Sequence, residues 1–134
     1  MPTDRDDNLS LAAPPTDLPR VLLVDDDPAL LQLLVRWLRG YGLALTTATS
    51  GLDALTRFEN QSFHLIVADY YLPGMNGLRL LDVVKTRWPD CRRILYTAHA
   101  DSEMVLDAVD HRVLTKQMDM MLVRDAIVNA ARQR

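Results

Sequence analysis

The sequence predicts an α/β domain, a parallel sheet with helices on both of its faces. Three observations predict it. Unbroken apolar runs at residues 21–24 (Val-Leu-Leu-Val) and 65–68 (Leu-Ile-Val-Ala, after His64) have the composition of strands buried on both sides, as in a covered parallel sheet. The segments between such runs carry apolar residues at helical spacing. The alternation repeats through five strand–helix units with no linker-like stretch to mark an internal domain boundary.

Taken in order, residues 1–19 hold Pro2, Pro14, Pro15 and Pro19 among Asp, Ser, Thr and Asn with little apolar periodicity, which predicts a flexible tail ahead of a folded unit at 20–134. The first strand stops abruptly at Asp25-Asp26-Asp27-Pro28. Asp27 can cap a helix that starts at Pro28, where a missing N–H costs nothing. Leu30, Leu31, Leu34, Trp37 and Leu38 continue that helix until Gly40 and Gly42 end it. Residues 43–48 form a more polar strand, suited to a sheet edge. Ser50-Gly51-Leu52-Asp53 has the pattern of a capping box and opens a helix through Leu55 and Phe58. The strand at 64–68 ends in Asp69, and His64 begins it with its ring at the surface. A turn at Pro73-Gly74 and Asn76-Gly77 leads to a helix over Leu78, Leu81 and Val84, closed near Trp88-Pro89. Residues 94–96 form a strand ending at Thr97-Ala98, a short helix covers 102–109, and residues 112–115 form the last strand, ending at Lys116. Leu122, Ala126 and Ala130, beside Val123 and Ile127, make the stripe of a final helix, with Met118, Met120 and Met121 as packing and helix-start residues.

With 134 residues, 49% hydrophobic and 25% charged, the chain can bury a core of its own. A net charge of −3 selects no partner, and without a basic stripe there is no reason to expect nucleic-acid contact. Arg92-Arg93 reads as a solvated edge. Cys91 is the single cysteine, which rules out an intramolecular disulfide and fits a reducing compartment. No apolar run reaches signal-peptide or membrane-span length, so the expectation is a cytoplasmic protein without membrane contact.

In open α/β sheets, ligands bind beyond the carboxyl ends of the strands. There the first strand delivers Asp25 and Asp26, the third Asp69, the fourth Thr97 and the fifth Lys116, while the second, ending in Ala48-Thr49, adds nothing obvious. Core packing would not select three carboxylates, a hydroxyl and an ammonium. Like carboxylates raise one another's pKa, so the cluster calls for a cation, and hard oxygen donors without Cys or His point to Mg2+. His64, His99 and His111 do not form a metal set. Cation and lysine together suit a phosphoryl group, whose transfer is mostly positioning and charge stabilisation, and a carboxylate can itself be the nucleophile.

Residues 21–28 (Val-Leu-Leu-Val-Asp-Asp-Asp-Pro) and 65–77 (Leu-Ile-Val-Ala-Asp-Tyr-Tyr-Leu-Pro-Gly-Met-Asn-Gly), with Thr97-Ala98 and Lys116 following strands, resemble the signature segments of response-regulator receiver domains over about residues 20–134. The resemblance implies a flavodoxin-like fold, a three-layer sandwich of strand order 2-1-3-4-5 with five helices. It implies that Asp69 takes a phosphoryl group from a phosphohistidine on a sensor histidine kinase or phosphotransfer protein. Asp26, Asp69 and the Tyr71 backbone carbonyl would bind Mg2+ directly, and Asp25 through a water. Lys116 would pair with phosphoryl oxygens, Thr97 would hydrogen-bond them and move, and small Ala98 would leave them room. Tyr71 and His99 would flank the path of hydrolytic water and screen the phosphoryl group. The domain is expected to act without an attached effector, through contacts with a downstream protein whose identity the sequence does not give, and homodimerisation is left open.

Three departures from that family fall on its output half. The usual aromatic three residues before the lysine is Val113, which has no ring to swing. The usual Lys-Pro is Lys116-Gln117, and because a cis bond before a non-proline costs about 3 kcal/mol, either the loop is rerouted or strain is retained. The stretch from Thr97 to Lys116 is short, which implies a trimmed fourth helix or exit loop. Two other functions compete. A degenerate receiver would serve as an unphosphorylated interaction module. A haloacid-dehalogenase-like phosphohydrolase would use Asp25 as nucleophile and Asp27 as acid/base, but leaves the segment from Asp69 to Gly77 unexplained.

Overall fold

The computed structural model describes residues 17–98 and 111–133. Within them run β1 (Arg20–Val24), α1 (Pro28–Leu38), β2 (Ala44–Ala48), α2 (Gly51–Asn60), β3 (Leu65–Ala68), α3 (Gly77–Arg87), β4 (Arg92–Thr97), β5 (Arg112–Thr115) and α4 (Met120–Arg132). All strand pairs are parallel, in the order β2-β1-β3-β4-β5. This is the flavodoxin-like arrangement, with the polar second strand at one edge. The short helix expected at 102–109, the expected trimming there, His99 and most of the expected tail lie outside the described residues.

Side chains leave a strand alternately to its two faces, and the cores divide accordingly. Val21, Leu23, Leu65, Val67, Ile94, Tyr96 and Leu114 pack with α1 and α4. Leu22, Val24, Ile66, Ala68 and Leu95 pack with α2 and α3. The apolar runs are therefore buried on both sides, each full-sized side chain contributing roughly 1.5–3 kcal/mol.

Caps hold the helix starts where the sequence places them. The Asp27 carboxylate accepts from the Ala29 and Leu30 N–H groups ahead of α1. Ser50 Oγ accepts from Asp53 N–H at 3.0 Å, while the Asp53 carboxylate returns to Thr49 N–H at 3.2 Å, one residue earlier than in the standard box. Asn76 caps α3 through Arg79 N–H, and Asp119 caps α4 through Met121 N–H. Gly74 turns the chain at φ 82°. Gly77 is needed for another reason. Its N–H bonds Tyr70 O at 2.7 Å, and a Cβ there would overlap the Asp69 carbonyl oxygen. α3 thus begins in backbone contact with the loop that carries Asp69.

Several expectations are corrected. The buried residues of α4 are Val123, Ala126, Ile127, Val128, Ala130 and Ala131; Leu122, assigned to the stripe, is 58% exposed. Met118 packs on the core, but Met120 and Met121 are exposed at the start of α4. His64 precedes β3 and is half-buried, because its Nδ1 accepts the Arg20 N–H at 2.9 Å. Arg93 is not a solvated charge. It donates to the Cys91 carbonyl at 2.7 Å and to His111 Nδ1 at 3.3 Å, and His111 Nε2 lies 2.8 Å from Asp82 on α3. The bond between Lys116 and Gln117 is trans. Cys91 is buried, and burial pushes its thiol up to about 12 against the opposing Arg93 charge, so it is a packing residue.

Candidate phosphoryl site at the carboxyl ends of the strands

Parallel register brings the strand ends together. Val24 is level with Ala48 and Ala68, and Thr97 with Thr115. The ladder carries on for one more residue. Asp25 N–H bonds Ala48 O at 3.1 Å, Asp69 N–H bonds Val24 O at 3.0 Å, and Lys116 N–H bonds Thr97 O at 2.8 Å. The backbones of Asp25, Asp69, Thr97 and Lys116 are thus fixed by neighbouring strands.

Asp25 is 4% exposed and Asp69 8%, whereas Asp26 lies in solvent. Carboxylate oxygens of all three lie within 4.8 Å of one another. Asp25 Oδ1 accepts from Asp27 N–H at 2.9 Å, and Asp69 Oδ1 from Tyr70 N–H at 2.9 Å. Lys116 Nζ lies 2.9 Å from Asp25 Oδ2 and 3.6 Å from Asp69 Oδ1. Burial raises the Asp69 carboxyl above its usual range, Lys116 works against that, Asp25 adds to it, the Tyr70 N–H opposes it, and Asp26 adds a little more. For Lys116, burial disfavours the ammonium, but the bond to Asp25 and the charges of Asp25 and Asp69 outweigh it, so its pKa is raised. The pocket has a deficit of positive charge that one lysine does not cover.

Such a donor set fits Mg2+. All three donors are hard carboxylate oxygens within 4.8 Å of one another, two of them buried and one facing water.

The other predicted residues fall as follows. Thr97 is fully buried at the end of β4, with Ala98 half-buried after it. Tyr71 is 57% exposed, its ring edge-on to Tyr70 at 4.9 Å. Val113 is half-buried and packs on the α2–α3 side of the sheet. Asp27 caps α1, its carboxylate accepting from the Ala29 and Leu30 N–H groups. One neighbour of the site was missed. Tyr96, read only as a strand residue, has its ring 5.6 Å from Lys116 Nζ. The signal lay in strand pairing: Tyr96 sits opposite Leu114, two residues before Lys116.

Comparison with known proteins agrees with this geometry. A family model described as the response regulator receiver domain matches residues 21–128. The chain is similar to the DNA-binding transcriptional regulator NtrC of Klebsiella pneumoniae, 37% identical over 86 residues, 64% of this chain and 18% of that protein. The matched stretch thus spans less than a fifth of the length of that relative. Among solved structures it is similar to the signal receiver domain of an HD domain-containing protein from Pseudomonas fluorescens Pf-5, with TM-score 0.80 and 28% identity over 89% of this chain and 90% of that one. It is also similar to the response regulator TrrA from Thermotoga maritima in complex with Mg2+-BeF, with TM-score 0.76 and 26% identity over 84% of this chain and 98% of that one.

Proposed function

The chain belongs to the response-regulator receiver family of two-component systems, and from that premise we propose that it is a phospho-acceptor switch whose phosphorylated residue is Asp69. The observation that carries the proposal is the cluster of Asp25, Asp26 and Asp69 around the Lys116 ammonium at the ends of three strands. A carboxylate oxygen of Asp69 forms the O–P bond while the N–P bond of a partner's phosphohistidine breaks and the imidazole leaves, taking up a proton. Lys116, already 3.6 Å from Asp69, pairs with the phosphoryl oxygens. Asp26, Asp69 and the Tyr71 carbonyl, with Asp25 through a water, would hold Mg2+, which supplies further neutralisation of phosphoryl charge. Thr97 then hydrogen-bonds the phosphoryl group, Ala98 leaves room for it, and the altered loop changes contacts with a downstream protein. Val113 has no ring to rotate, so the shape change leaves by another route than an aromatic swing at that position. Exposed Tyr71, with His99, screens the acyl phosphate; an unchanged autodephosphorylation rate in Tyr71→Ala and His99→Ala would remove that role.

The test is intact-mass measurement after incubation with a small-molecule phosphodonor, with and without Mg2+, beside Asp69→Ala. A Mg2+-dependent gain of one phosphoryl group, lost in the variant, is expected. Absence of any adduct refutes the switch and favours an unphosphorylated interaction module. Label on Asp25, or steady phosphate release without an adduct, favours the hydrolase.

A further inference from the structure

Successive residues of β4 face opposite sides of the sheet. Leu95 packs in the α2–α3 core and Tyr96 in the α1–α4 core. In β5, Val113 and Leu114 divide the same way, so Tyr96 and its register partner Leu114 share a face. Lys116 comes two residues after Leu114, and its backbone is pinned to Thr97 at 2.8 Å. The Tyr96 side chain is buried at 4% exposure, and its ring centroid lies 5.6 Å below the ammonium. The same ammonium is 2.9 Å from Asp25 and 3.6 Å from Asp69.

We propose that Tyr96 is a positioning residue for Lys116: its buried ring holds the ammonium over Asp25 and Asp69, in place before Asp69 accepts a phosphoryl group. The proposal rests on the reading of Asp69 as phospho-acceptor. Lysine is a compact charge on a flexible four-carbon stem, and the bond to Asp25 alone leaves that stem several ways to reach it. An aromatic face attracts a cation through the quadrupole of the ring. Lys116 carries three N–H donors, one of which meets Asp25, so contact with the ring is compatible with bonds to the carboxylates and to an incoming phosphoryl group. An aliphatic residue would fill the same space and exert no such attraction. The phenol is not required by this argument. Burial raises its pKa, against Lys116 and with Asp25, so the ring stays neutral in the physiological range.

The experiment compares wild type, Tyr96→Phe and Tyr96→Leu by two measurements. One is the phosphorylation rate with acetyl phosphate at saturating Mg2+. The other is the NMR shift of the Lys116 ε-methylene protons, which a ring face moves upfield. Tyr96→Leu is expected to slow phosphorylation roughly 3- to 10-fold, the size of a partly desolvated cation–π contact, and Tyr96→Phe to restore it to within about twofold. The ε-protons should be upfield in wild type and Tyr96→Phe, and return to an ordinary lysine position in Tyr96→Leu. Tyr96→Met replaces the leucine variant if that one does not fold. A leucine variant as fast as wild type, a phenylalanine variant as slow as the leucine one, or unshifted wild-type ε-protons each overturn the proposal. Absence of phosphorylation in wild type overturns the reading of Asp69 instead, and the ε-proton shift still decides whether Tyr96 holds Lys116.

Discussion

Replacing Lys116 by methionine removes the ammonium and keeps most of the stem. Left behind are the Asp25 side chain, 6% exposed, and the Asp69 side chain, 10% exposed, with no lysine 2.9 Å and 3.6 Å away. Breaking a fully buried pair by deleting one partner typically costs 3–5 kcal/mol. Here Lys116 is 22% exposed and Asp26 opens the cluster to water, so screening reduces the expected loss at pH 7 to roughly 2–3 kcal/mol. The pH dependence has a definite sign. Lys116 lowers the Asp69 pKa, so its removal lifts that pKa further above the unfolded value. A carboxyl with a raised folded pKa gains stability on protonation, so the variant recovers as pH falls through the acid range. The lysine's own raised pKa keeps its stabilisation intact across that range, since it is lost only as pH rises through the folded lysine pKa. Urea unfolding of both proteins at pH 7 and pH 5, without divalent metal, measures the difference directly. Equal stability at pH 7, or a gap that does not narrow at pH 5, would refute the electrostatic account of this cluster.

Three further outcomes follow from the same geometry. Gly77→Ala drives a Cβ into the Asp69 carbonyl and displaces the start of α3, costing about 1–3 kcal/mol by chemical denaturation, with a normal stability sinking the close-approach argument. Asp69→Asn removes an ionised carboxyl that burial disfavours, so the metal-free protein should melt higher than wild type near neutral pH, and added Mg2+ should raise the melting temperature of wild type more than that of the variant. On α4, Ile127→Ala should cost about 2–5 kcal/mol, whereas Leu122→Ser should stay within about 0.5 kcal/mol; the reverse ranking would restore Leu122 to the core.

What the sequence determined by itself is local or nearly so. Unbroken apolar runs marked β1 and β3 because a strand covered on both faces admits no polar alternation. Asp27 and Ser50 marked helix starts because a cap's partners lie two or three residues away. Acids and a lysine at strand ends marked the site because parallel strands deliver their carboxyl ends to one edge of the sheet. Tertiary structure decided the rest. The stripe through Leu122 and the one through Val123 are equally helical, and only docking against the sheet chose the rotation of α4 that leaves Leu122 in solvent. Gly77 is required by backbone eight residues earlier, through an approach that turn composition does not encode. Asp25 and Lys116 are 91 residues apart, and Tyr96 meets Lys116 only because β4 and β5 pair with Tyr96 opposite Leu114. The periodicity of a sequence states which residues share a face. Strand pairing and helix docking, which depend on every element packed against that face, decide what the face touches.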